Sequence, residues 1–173
     1  MAYEQAKTYK PGKEPTHTKC PKFEETVMFY FDDGPLRQRM LDFAAWLRDN
    51  KLPPSSGNRG YNWYIKYKGR TVCYIKIYGD TWHITLRDEI MKDMMAREDI
   101  KEALWESIFP CYGCNYGCYK WHKDKYTLQL FGREFEGGEL GICRLFTIRI
   151  HDPDEKTLDA LKEVLLANKN TGG

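Results

Sequence analysis

The chain lacks a long apolar run, a surplus of charge of either sign, and the signature of any familiar catalytic loop. Each absence excludes something. A transmembrane helix needs about 18 or more consecutive apolar residues, and none are found, so no membrane partner is expected. Basic and acidic side chains number 27 and 25, for a net charge of +2. They mix along the chain, without the concentrated basic footprint of a nucleic-acid binder, and no nucleic-acid partner is expected. The group Lys120, His122, Lys123 and Lys125 is short and reads as a solvated loop. Residues 1–22 are polar and hold Pro11, Pro15 and Pro21. They contain no apolar signal segment, so the expected compartment is the reducing cytoplasm. No serine sits in a nucleophile elbow, and no glycine loop fits a phosphate. Gly132-Arg133-Glu134 also lacks dinucleotide-site spacing. The sequence therefore nominates no catalytic residue and leaves open whether the protein is an enzyme.

At 173 residues the chain fits one domain,. An extended lead-in is expected over 1–25, where prolines and lysines oppose a helix, and a single folded unit over 26–169. Residues 27–31 read as a short strand. The turn Asp32-Asp33-Gly34-Pro35 introduces a helix over 36–50, with Met40, Phe43, Ala44 and Leu47 at helical spacing,. Pro53 to Gly57 breaks the pattern. Residues 61–68, 72–78 and 81–86 alternate as strands, joined by short turns at Gly69 and Gly79, which makes an antiparallel meander. Helices are predicted over 87–96 and 98–108, the second with Ile100, Ala103, Leu104 and Ile108 as its buried stripe. Strands follow over 126–131 and 142–150, joined through a Gly137-Gly138 turn flanked by Glu134, Glu136 and Glu139. The final helix carries Leu158, Leu161, Val164 and Leu165, with Asp152 as cap and Pro153 at its first position. The order predicts an α+β fold: an antiparallel sheet with helices packed on one face.

The sharpest local signal is Cys111-Tyr-Gly-Cys114-Asn-Tyr-Gly-Cys118. A two-residue gap lets a turn aim two sulfurs at one ion about 2.3 Å away. Gly113 and Gly117 permit the backbone angles of a folded-back loop. Three thiolates in eight residues repel one another unless a cation neutralises them. Cys143 is favoured as the fourth ligand, because it would pin the loop to the sheet. His122 is second, and Cys20 weaker. A structural zinc, free thiols and a Cys111–Cys114 redox pair all remain open on this spacing. Cys73 lies mid-strand on an apolar face and reads as an inert buried thiol.

Aromatics make up 14% of the chain, enough for either a thick core or a stacking pocket. Tyr61, Trp63 and Tyr67 share a strand face and Trp82 stands nearby. This set is the candidate ligand-binding surface, with core packing as its alternative. Tyr64 and Tyr74 are expected on opposite faces of the same hairpin. His83, alone in its strand, and His151, before the helix cap, read as structural. Asp32 and Asp33 are explained by the turn they occupy.

The segment 61–86, with its Gly69-Arg70-Thr71-Val72-Cys73-Tyr74 hairpin, resembles small uncharacterised bacterial proteins of the domain-of-unknown-function type. So does Phe131-Gly132-Arg133-Glu134-Phe135-Glu136, followed by Cys143 and Asp152-Pro153-Asp154-Glu155. The resemblance spans about two thirds of the chain and carries no established activity with it. A looser likeness, to ligand-sensing domains of bacterial regulators, is at the level of fold alone. The expected function is a small-molecule-binding or sensing module whose cysteine loop holds a structural zinc. The alternative is a thiol-dependent enzyme or redox protein using Cys111 and Cys114; a plain partner-binding domain is the third reading.

Protein purified without added metal should contain near-stoichiometric zinc by elemental analysis. Cys114→Ser should lower both the zinc content and the melting temperature, because metal binding is coupled to folding. Metal-free protein with an unchanged melting curve would remove the zinc.

Overall fold

A computed structural model describes residues 21–57, 61–107, 126–137 and 148–171. The first element is not a strand but helix α1 (Phe23–Tyr30). Val27 and its aromatic neighbours suggest a strand, yet Phe23, Thr26 and Val27 recur at helical spacing and all three are buried. Local bonds settle the choice. The Lys22 backbone N–H donates to the Glu25 carboxylate at 3.4 Å, and Thr26 Oγ1 donates to the Lys22 carbonyl at 3.1 Å. Residues 23–25, read from sequence as lead-in, thus belong to this helix.

Helix α2 (Pro35–Asp49) starts on a proline whose fixed φ suits a first helical position,. It buries Met40, Phe43, Ala44 and Leu47, the stripe that its periodicity predicts. Arg48 on α2 grips the Glu24 carboxylate with two nitrogens, at 2.7 and 2.8 Å, which fixes α1 against α2.

The sheet is built from β1 (Ser55–Ser56), β2 (Asn62–Tyr67), β3 (Arg70–Tyr78), β4 (Thr81–Leu86) and β7 (Arg149–His151). Its strand order is β1-β2-β3-β4-β7, and each neighbouring pair is antiparallel. Two-residue turns set the register. Lys68 and Gly69 both take positive φ, 44° and 80°, as the right-handed twist of a tight hairpin requires. Gly57 lets β1 close on β2: a Cβ there would lie 2.6 Å from the Asn62 carbonyl oxygen.

Cross-strand pairing puts Trp63 and Ile65 opposite Ile75 and Cys73. These face Ile84 and Leu86 in turn, and Ile77 faces Trp82. Ile150 completes the row opposite Ile84. All of these are buried in one cluster with the helix residues Phe23, Met40, Phe43, Leu47, Ile90, Met94, Leu104, Leu158 and Leu161. This is the expected α+β arrangement, with one sheet face committed to the core.

Helix α3 (Asp88–Met95) lies where expected. Helix α4 (Lys101–Glu106) is shorter than the predicted span. Its start is displaced by a turn in which Arg97 pairs with Asp99 and Glu163. Ile100 and Leu104 are buried as predicted, whereas Ala103 is exposed and Trp105 takes its place. Strands β5 (Tyr126–Leu130) and β6 (Arg133–Gly137) form a separate hairpin. Their turn at Phe131-Gly132, with φ of 48° and 83°, and strand β6 itself are not anticipated by the sequence, whose turn at Gly137-Gly138 toward 142–150 falls largely outside the described residues. Glu134 and Glu136 therefore belong to a strand rather than to a hairpin end. The hairpin docks on α4, with the Phe131 ring 6.1 Å from Trp105 and Arg133 stacked 4.8 Å from the same ring.

Helix α5 (Glu155–Thr171) closes the chain. Its cap is Asp154, not Asp152: the Thr157 backbone N–H donates to the Asp154 carboxylate at 2.8 Å. Asp152 instead has φ of 40° and turns back to β4. Asp154→Ala should cost about 1 kcal/mol of stability, the usual value of a lost side-chain cap. Chemical denaturation reads this directly, and an unchanged midpoint would refute the assignment.

Candidate functional site

Of the four aromatic residues nominated by the sequence, Tyr61 and Trp63 stack with ring centres 6.4 Å apart, but the four do not form one exposed surface. Trp63 and Trp82 are fully buried, at 0% exposure, and present no surface to a ligand. The Trp63 indole N–H donates to the Pro21 carbonyl at 3.1 Å, and its ring meets Phe23 edge-on at 5.1 Å. Tyr61, half-buried, accepts a hydrogen bond from the Tyr30 hydroxyl at 2.8 Å. Helices cover the centre of this face, so packing takes the area that would otherwise stack on a ligand.

Tyr67 is different. It stands at the end of β2, where the apolar layer opens into a cleft of about 500 Å³. The β2–β3 hairpin gives this cleft Tyr67, Lys68, Arg70 and Val72. The α2–β1 connection gives Leu52, α3 gives Glu89 and Ile90, and α5 gives Leu165, Asn168 and Lys169. The floor is therefore aliphatic, and three cations stand around it against one carboxylate. Lys68 Nζ lies 5.5 Å from the centre of the Tyr67 ring. Lys169 Nζ donates to the Asn50 carbonyl at 2.7 Å, and Asn168 Nδ2 donates to Asp93 at 2.6 Å. These bonds hold two polar groups of α5 in fixed positions.

The opposite sheet face carries a second group that the sequence does not bring together. Asn62 lies opposite Lys76, Lys76 opposite His83, and His83 opposite His151. The next row is Tyr64, Tyr74, Thr85 and Arg149. Tyr64 and Tyr74, expected on opposite faces, share this one, with ring centres 5.1 Å apart. The alternation of each strand was legible; the register that aligns the strands was not. The two histidine rings are 5.2 Å apart. Burial lowers the His83 pKa from 6.5 to about 3, helped by the positive fields of His151, Arg149 and Lys76. His151 is also lowered, mainly by desolvation, with Asp152 opposing. On the apolar face, burial pushes the Cys73 thiol up to about 12, which keeps it protonated and unreactive.

Cys111, Cys114, Cys118 and Cys143, with His122 and Cys20, lie outside the described residues. Among the described residues, no group of three or more His, Cys, Asp or Glu side chains is placed to hold a metal ion, and no helix is long and apolar enough to cross a membrane. Comparison with known proteins yields no family model, no curated protein and no solved structure that matches the chain.

The histidine pair makes stability depend on pH. His83 binds its proton near pH 3 when folded and near 6.5 otherwise, so unfolding takes up a proton between those values. Its contribution is whole above pH 6.5 and is lost as pH falls toward 3,. The slope should approach ~1.4 kcal/mol per pH unit within that window. Denaturation curves at pH values from neutral into the acid range measure it. His83→Asn should flatten the profile; a variant with the parental slope would place the effect elsewhere.

Proposed function

We propose that the protein is a small-molecule-binding module, with Cys111, Cys114, Cys118 and Cys143 holding a structural zinc. The close cysteine spacing in the sequence supports the metal. The cleft at Tyr67 supports the binding role, and its lining is the observation that carries the reading. Leu52, Val72, Ile90 and Leu165 offer an apolar floor, and Lys68, Arg70 and Lys169 outnumber Glu89 around it. A ligand that matches has an apolar body and one acidic group. Burial of the body supplies affinity at roughly 25 cal/mol per Å². The cations orient the acid, and Arg70 can grip it with two nitrogens.

The dye 8-anilinonaphthalene-1-sulfonate combines an aromatic body with a sulfonate and serves as a probe. It should bind the folded protein at one site, with enhanced fluorescence. Arg70→Glu should weaken binding about tenfold, equivalent to ~1.4 kcal/mol. Arg70→Lys should retain most of the affinity. Melting curves run in parallel confirm that each variant is folded. Absent enhancement, or equal affinity in all three proteins, would overturn the reading.

A further inference from the structure

We infer that the ligand of the cleft at Tyr67 is a free α-amino acid with a large apolar side chain. This rests on the binding role proposed above and names the class of molecule that fills it. The cleft, at about 500 Å³, lies within the usual size range of small-molecule sites. Tyr67 and Val72, both half-buried, turn apolar surface toward it, and Leu52, Ile90 and Leu165 close the space beneath them. Val72 is the extra residue of a β-bulge: Thr71 pairs with Lys66, and Cys73 with Ile65. A bulge re-aims the side chain it carries, and bulges recur beside functional sites.

Two opposite charges at this cleft are uncommitted. Arg70 opens β3 and Glu89 stands in the first turn of α3. Both are exposed and both line the cleft. Among the described residues neither side chain makes an ion pair, with the other or with a third group. Glu89 also leaves Lys92 unpaired, although a lysine three residues on along a helix is within its reach,. Elsewhere arginines hold carboxylates: Arg37 holds Asp33, Arg48 holds Glu24, Arg97 holds Glu163 and Arg133 holds Glu102. The chain also brings the two charges near one place. The Val72 carbonyl accepts the Arg87 backbone N–H at 3.1 Å, so the segment leading into Glu89 starts alongside the bulge, two residues from Arg70.

A ligand with an acid alone would set that acid among the cations but in the repelling field of Glu89. An ammonium on the adjacent carbon turns the repulsion into attraction. Arg70 then takes the carboxylate through its two-nitrogen fork, and Glu89 accepts hydrogens of the ammonium. Lys169 adds a donor, because only one of its three ammonium hydrogens is used by the Asn50 carbonyl,. The α-carbon of a free amino acid carries acid, amine and side chain together. The first two engage Arg70 and Glu89 while the third reaches the apolar surface of Val72 and Tyr67.

Three probes separate these contributions when titrated into the full chain by calorimetry: L-phenylalanine, hydrocinnamate (the same skeleton without the amine) and L-alanine. Phenylalanine should bind more tightly than either of the others, by about tenfold or more. Glu89→Gln, checked for folding by its melting curve, should reduce phenylalanine to the affinity of hydrocinnamate and should not weaken hydrocinnamate. In the parent protein, amide chemical-shift changes caused by phenylalanine should centre on Arg70, Val72 and Glu89, a readout that needs no variant. Phenylalanine bound no more tightly than hydrocinnamate or alanine, or bound equally by folded Glu89→Gln, would overturn the inference; if the naphthalenesulfonate dye still bound in an Arg70-dependent way, the binding role itself would stand. Failure of the dye and of all three probes would remove both.

Discussion

The two-residue alternation of an antiparallel sheet is the constraint from which the rest of this structure follows. Once Trp63 packs on Phe23, every second residue of β2 is committed to the core, and register commits the neighbours. Ile75, Ile84 and Ile150 follow in one line across the sheet. Slipping one strand by a residue would bring Lys76 or His83 into that line and expel an isoleucine. Removing an isoleucine side chain from such a place costs about 2–5 kcal/mol, a large part of a domain's net stability. The apolar face thus leaves the other face no choice of membership: whatever alternates with the core residues is displayed there together.

That display groups polar side chains that are scattered along the sequence. Acidic residues sit mainly on helices and turns, where they cap, pair with arginine, or face solvent. Glu24 holds Arg48, Asp99 and Glu163 hold Arg97, and Asp154 caps α5. The sheet positions between core residues hold lysine, arginine, histidine and tyrosine instead. Counting charge along the chain averages these two populations, so the sequence reads as mixed where the fold separates them. The cleft forms where the apolar layer ends at the β2–β3 hairpin, and the polar face is the layer's reverse side.

Much of the architecture was legible because local rules and the tertiary fold agree. The stripe of α2, the three-strand meander and the buried Cys73 follow from period alone. Where they failed, two signals competed. Residues 23–30 have the β-branched and aromatic content of a strand, but buried Phe23, Thr26 and Val27 recur at helical spacing, and bonds to Lys22 begin a helix. The β5–β6 turn at Phe131-Gly132 was missed, because a single glycine after an aromatic is a weak sign. The aromatic set failed for another reason. Trp63, Trp82, Tyr61 and Tyr67 look alike as a pattern, yet only burial separates the two tryptophans of the core from the tyrosine at the cleft. The polar face could be read within each strand but not assembled, because cross-strand register is absent from a linear pattern.

The position of His151 beside His83 illustrates how such register is enforced. Strand β7 is only three residues long, too short to fix its own alignment through ladder bonds alone. Asp152, immediately after it, supplies the lock. Its backbone N–H donates to the Trp82 carbonyl at 2.9 Å, while its carboxylate accepts the Trp82 N–H at 3.0 Å. One residue therefore grips both polar groups of Trp82, and Trp82 is itself immobilised in the core. This grip needs the positive φ that Asp152 adopts, which aspartate tolerates better than most side chains. A residue that looks like a helix cap in the sequence thus sets strand register.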